Sequence, residues 1–186
     1  MIIRKADIGD AALIARCVLD AVGVSDFASD MDGALLEAIR AECMRTDSLY
    51  SYLHSNVAEV DGSAIGCVVA YPGEIYPQTR KGTWERINAA IGDDSSDSSD
   101  YETGAGEYYL DTLVVLPQYR GHDFGRQLVS SVFELARDNG YDRITLIAES
   151  DHPHLIAYYE SMGFQIESTL TFLGEQYCKM AAPISQ

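Results

Sequence analysis

The chain has 186 residues, 47% of them hydrophobic and 23% charged, enough for a buried core and incompatible with wholesale disorder. With 13 basic against 29 acidic residues its formal charge is −16, which disfavours binding to nucleic acid or to an anionic membrane. No apolar run approaches the roughly 20 residues that span a bilayer, and the opening MIIRKADIGD turns charged at once, so a cytoplasmic protein is expected.

Cys17, Cys43, Cys67 and Cys178 are scattered, without a C-x-x-C pair. Cys17 in an apolar helical pattern and Cys67 in an apolar strand pattern read as small core residues, and no metal-ligand spacing or redox pair is seen. His54, His122, His152 and His154 form no zinc pattern either, and no metal is expected.

Residues 1–6 read as a first strand. Asp10 stands before Ala11, Leu13, Ile14, Cys17, Val18 and Val22, a helical pattern that its side chain is placed to cap. A second helical stripe, Leu35, Leu36, Ile39 and Cys43, falls in 31–45. The apolar runs 57–60 and 65–71 flank Asp61-Gly62, and a D-G pair in that setting predicts a tight hairpin.

Residues 73–106 form an irregular insertion with a short helix over about 77–91. Tyr76, Trp84 and Tyr101 are candidate walls of a pocket there. DDSSDSSDYE (93–102) follows, with five acids and no base; it reads as a solvated loop, or as an acidic lip that draws a cation. Order returns with a strand over 107–116, a helix over 124–139 and a strand over 144–148. A helix over 154–162 is closed by Gly163, and strands near 164–168 and 175–180 finish the chain. The expectation is one α/β domain over 1–186.

The informative stretch is YLDTLVVLPQYRGHDFGRQLV (109–129). A strand ends at Pro117, a short polar loop follows, and a helix opens with Phe124, Leu128, Val132, Leu135 and Ala136 at helical spacing. Such a unit leaves backbone N–H groups unpaired at the helix start, where a phosphate or pyrophosphate is favoured. Arg120 and Arg126 add charge contacts. The loop matches neither G-x-x-x-x-G-K-[ST] nor a full G-x-G-x-x-G.

VVLPQYRGHDFGRQLV resembles the pyrophosphate loop of the GNAT superfamily of acetyl-CoA-dependent N-acetyltransferases, and AYYESMGF (157–164) resembles its later helix ending in G-F. IIRKADIGDAALI and GEQYCKM resemble the family's opening and closing segments. The four pieces stand in the family's order and cover nearly all of the chain except about 73–106.

The resemblance implies an α/β GNAT fold, a mixed and mostly antiparallel sheet with helices on both faces. It implies acetyl-CoA as cosubstrate, its pantetheine arm against Leu113, Val114 and Val115. The pyrophosphate would rest on amides of Arg120, Gly121, His122, Asp123, Phe124, Gly125 and Arg126. Tyr159 matches the tyrosine that protonates the departing thiolate, a role its neutral phenol suits. His152 stands where the family often has asparagine beside the cofactor. Glu107, Tyr109 and Asp111 share one strand face by period-two alternation; with the family's pattern, Glu107 is the first candidate for the general base and Asp111 the second. Asp123 departs from the family's glycine or alanine; as an N-cap it would compete with phosphate for the same amides, and its side chain is expected to point away. The implied reaction is direct acetyl transfer to a primary amine, a small cationic one first. A peptide N-terminus or lysine is the alternative acceptor, and a CoA-binding module without catalysis is the rival reading. The resemblance also allows a homodimer.

Overall fold

The computed structural model describes residues 1–23, 33–93, 101–172 and 174–184. In chain order it contains β1 (Ile2–Lys5), α1 (Ala11–Ala21), α2 (Ala34–Cys43), β2 (Ser55–Val60), β3 (Ser63–Pro72), α3 (Tyr76–Ile91) and β4 (Tyr108–Val115). Then come α4 (Phe124–Asp138), β5 (Arg143–Glu149), α5 (Pro153–Glu160), β6 (Gln165–Phe172) and β7 (Glu175–Pro183). The strands form a seven-stranded sheet in the order β1-β2-β3-β4-β5-β7-β6. Every neighbouring pair is antiparallel except β4 and β5.

The expected elements are present, with three adjustments. Asp61 and Gly62 both have positive φ, 50° and 78°, the geometry of the tight hairpin turn between β2 and β3. Asp10 precedes α1 but gives it no side-chain cap. Its carboxylate instead takes the Asp7 N–H at 2.9 Å and Arg4 Nη1 at 2.7 Å, while Asp7 accepts the Gly9 N–H at 2.7 Å. The box is therefore built one turn earlier than the sequence suggests, around a short 3-10 turn. The second helix is shorter than the expected 31–45, part of which lies outside the described residues, and the helix of the insertion, α3, starts one residue before the expected 77–91. Of the acidic run, residues 94–100 also lie outside the described residues.

Alternating residues of the central strands feed two cores. Cys67, Val69 and Tyr71 of β3 join Ile14, Leu19, Leu36, Ile39 and Ile87 from α1, α2 and α3 on one face. Ile65, Val68 and Ala70 join Leu128, Val129 and Val132 of α4 and Tyr159 of α5 on the other. The helix α3 is fastened to α2 by Arg86, whose Nε and Nη2 reach Glu42 Oε1 and Oε2 at 2.7 Å each, a bidentate pair on a buried carboxylate. No helix among the described residues is long and apolar enough to cross a membrane.

Candidate active site

The parallel pair opens a gap in the sheet. β4 and β5 are in register only at Tyr108–Ile144 and Tyr109–Thr145, while β5 stays paired to β7 along its whole length. Beyond Tyr109 the two strands part. The Leu116 N–H donates to Ile65 O at 2.9 Å, so strand alternation turns the backbone groups of Val114 toward β3 and those of Leu113 and Val115 into the gap. Arg120 Nε meets Val115 O there at 2.9 Å.

A cleft of about 550 Å³ fills this gap, bounded by Leu113 and Val115, the loop after β4, the start of α4, and Leu155, Tyr158 and Tyr159 of α5. Of the three residues expected against a pantetheine arm, two therefore line the cleft. Val114 does not: its side chain is buried in the core beneath α1, because it sits on the opposite face of the strand.

A bulge makes this arrangement. Between β3 and β4 the register passes from Val69–Thr112 to Ala70–Leu110, leaving Asp111 as an extra residue. Strict alternation would put residues 109, 111, 113 and 115 on one face. Instead Tyr109 and Asp111 lie on the α1–α3 side and Leu113 and Val115 on the α4–α5 side, so one short strand serves both faces of the gap.

The loop reaches α4 through two left-handed residues, Gly121 at φ 81° and Asp123 at φ 63°. Asp123 makes no side-chain bond to the helix amides. Its carboxylate lies 3.2 Å from Arg126 Nε, so the first-turn amides keep their capacity for an anion and the aspartate's charge is offset locally. Arg126 also reaches Ser161 O at 3.1 Å and Ser161 Oγ at 2.9 Å. Arg120 stands 3.4 Å from Asp20. Gly125 lies under Tyr158, and a Cβ there would stand 2.5 Å from Tyr158 Oη; only glycine lets the helix start approach this closely.

Neither His152 nor the side chain of His122, a residue expected to contribute its backbone amide, lines the cleft. His122 is exposed, stacks on Phe124 and holds Nδ1 3.1 Å from Arg120 O. His152 is exposed before α5, with Nδ1 2.7 Å from Glu149 and 2.8 Å from Asp151. Tyr159 does line the cleft. It is 7% exposed, packs edge-on against Tyr158 and Phe164, and burial pushes its phenol well above the usual pKa. It is held as a neutral donor.

On the opposite side of β4, Glu107 is tied up in an ion pair. Lys179 Nζ donates to it at 2.8 Å, Thr103 at 2.9 Å and Thr145 at 3.1 Å, with Arg143 at 3.5 Å. Burial works to raise its pKa, but the hydrogen bonds from Lys179 and Thr103 outweigh it and hold the carboxyl below the usual range. Asp111 accepts from Tyr71 Oη and from Thr112 Oγ1, and burial raises its pKa against those bonds. Neighbouring it is a residue absent from the sequence-based candidates. Glu102 accepts from Tyr76 Oη on one oxygen and Tyr109 Oη on the other. Burial first, and then the charge of Asp111, push it up to about 7. No short-range signal marks Glu102, since it closes an acidic run and its partner Tyr76 stands 26 residues earlier.

The family model described as Acetyltransferase (GNAT) family matches residues 25–164. The chain belongs to the GNAT acetyltransferase family. A solved structure of an acetyltransferase superposes on all of this GNAT chain and all of its own with a TM-score of 0.81 and 26% identity. Probable N-acetyltransferase family 8 member 5 of Mus musculus is 30% identical over 132 residues, 67% of this chain. The chain spans about half the length of that relative, 47%. Thialysine N-epsilon-acetyltransferase of Bos taurus is 25% identical over 166 residues, 89% of this chain and 84% of its own.

GNAT acetyltransferases use acetyl-CoA, and the residues present fit it. The β4 edge turns the backbone groups of Leu113 and the N–H of Val115 into the cleft for an amide-bearing arm. The α4 amides are uncapped toward the cleft, and the surface of Gly125 is one that a Cβ would fill.

Proposed function

We propose that this chain is an acetyl-CoA-dependent N-acetyltransferase that transfers the acetyl group directly to a primary amine, a small cationic amine first. The observation that carries the reading is the meeting, in one cleft, of the Leu113 and Val115 backbone edge, the uncapped start of α4 and the Tyr159 phenol.

In this reading the edge holds the pantetheine arm in strand-like pairing, and a β4 N–H polarises the thioester carbonyl. The amides of Gly121, Phe124, Gly125 and Arg126 hold the pyrophosphate, with the charges of Arg120 and Arg126 beside it. Tyr159 Oη gives its proton to the departing sulfur. Holding thioester and amine together supplies much of the rate. Direct transfer is supported by the cysteines: all four are buried and free, and none lines the cleft. Free buried thiols also support the cytoplasmic setting.

The acceptor class is supported by the carboxylates on the α3 side of β4 and by likeness to a relative named for acetylating thialysine at Nε. Thermal unfolding with acetyl-CoA, with adenosine diphosphate as the control, tests the binding half. Acetyl-CoA should raise Tm clearly and the control little, since a ligand bound only by the native state stabilises it. No shift at saturating acetyl-CoA would overturn the reading.

A further inference from the structure

We propose that Glu102 is the general base that takes a proton from the acceptor's ammonium group, and that Asp111 and the phenols of Tyr76 and Tyr109 position it for that task. This rests on the acetyltransferase reading above and departs from the Glu107 assignment that the family pattern implies.

Three observations converge. First, Tyr76 and Tyr109 use one lone pair on each Glu102 oxygen, leaving a second on each for an incoming N–H. Glu107 has no comparable capacity, because a lysine, two threonines and an arginine surround it. Secondly, the bulge at Asp111 puts this carboxylate group on one face of β4 while Leu113, two residues and about 7 Å further along the strand, turns its backbone into the acetyl-CoA cleft. The two faces meet where β4 leaves β5. An amine entering from the α3 side would pass the carboxylates to reach the thioester. Thirdly, the surroundings suit a base near neutral pH. Asp111 contributes a like charge, and Tyr109 and Tyr71 are fully enclosed beside the pair. Among the described residues, Arg80 and Tyr76 of α3, Tyr50 ahead of β2, and Tyr177 of β7 also act on or feel the charge of Glu102.

The protons balance. The ammonium nitrogen loses two, one to Glu102 before it attacks and one that restores Tyr159 through solvent. The C–N bond forms, the C–S bond breaks, and the sulfur leaves as the thiol with the proton of Tyr159. The net product is the acetylated amine, free thiol and one proton released from Glu102.

The test is the pH dependence of kcat/KM for free-thiol release by the full chain, with the best-used of 1,4-diaminobutane, lysine and thialysine as acceptor. The wild type should show a limb rising with pH near 7, well below the amine's own titration near 10. Glu102→Gln should lose that limb and fall about a hundredfold while keeping the acetyl-CoA shift in Tm. Asp111→Asn should retain the limb but move it to lower pH, because a like charge has been removed. Glu107→Gln should leave the limb in place. A limb that survives in Glu102→Gln, or vanishes only in Glu107→Gln, would overturn the assignment with acetyl transfer intact. If Glu102→Gln does not fold, an unmoved limb in Asp111→Asn overturns it. No thiol release by the wild type with any amine would sink the acetyltransferase reading, and this assignment with it.

Discussion

Lys179 Nζ lies 2.8 Å from Glu107 Oε2 and ties the segment entering β4 to β7 across β5. The pair anchors the sheet at the point where β4 and β5 are still joined, just before they part. Glu107→Gln should therefore lower stability by about 2 kcal/mol, since it leaves a partly buried ammonium underpaired. The measurement is urea unfolding. The sign with pH follows from the depressed carboxyl pKa: the stabilisation is present above the unfolded carboxyl pKa and is lost as pH falls through the lower folded one, so the wild type and the variant should converge in acid.

Glu102 has the opposite sign. Its folded pKa is raised from the ordinary 4.5 to about 7, so its contribution is fully present below 4.5 and is lost as pH rises through 7. Relative to Glu102→Gln, the wild type should lose on the order of 3 kcal/mol or less across that window. Unfolding free energies of the two proteins at pH 4.5 and pH 8 check this; a difference that does not change with pH would contradict it.

Much of this was legible in the sequence. The Asp61-Gly62 hairpin, the strand–loop–helix unit over 108–138 and the closing Gly163 follow from turn chemistry and period. The positions of Leu113, Val115, Gly125 and Tyr159 follow from motif order. Three features were not legible because they depend on long-range packing. The bulge at Asp111 is set by the register against β3, so alternation alone places Val114 and Leu113 on the wrong faces. The loss of Glu107 to an ion pair depends on Lys179, 72 residues away. Glu102 is raised by burial and by the charge of Asp111, a setting that the acidic run around it conceals.

Gly125 and Tyr158 share one surface of the cleft. Gly125→Ala should weaken acetyl-CoA binding, raising its KM more than it lowers kcat, because the new methyl group meets the Tyr158 hydroxyl. The double variant Gly125→Ala with Tyr158→Phe should recover part of the loss. No recovery would mean that the glycine matters for its contact with the ligand alone.

Asp123 holds its carboxylate on Arg126 rather than on the helix amides. Asp123→Gly should change acetyl-CoA affinity by no more than about fivefold, the range of an exposed ion pair. Asp123→Ala should cost about 1 kcal/mol of stability, since alanine is strained at φ 63°. Calorimetric titration and thermal unfolding read the two effects separately.

Tyr159 is buried against Phe164 and faces the cleft. Tyr159→Phe keeps that packing and removes only the proton donor. It should reduce kcat about a hundredfold while the acetyl-CoA shift in Tm stays as in the wild type. A proportional loss of both would mark Tyr159 as a packing residue.

The most direct measurement is amine-dependent turnover by the wild-type chain: incubation with acetyl-CoA and a panel of small cationic amines, peptide N-termini and lysine peptides, followed by free thiol and product mass. The expected result is one thiol released per acetyl group found on nitrogen, fastest with a small cationic amine. Acetyl-CoA binding with no acetylated amine anywhere in the panel would contradict an acetyltransferase and leave a module that only holds the cofactor.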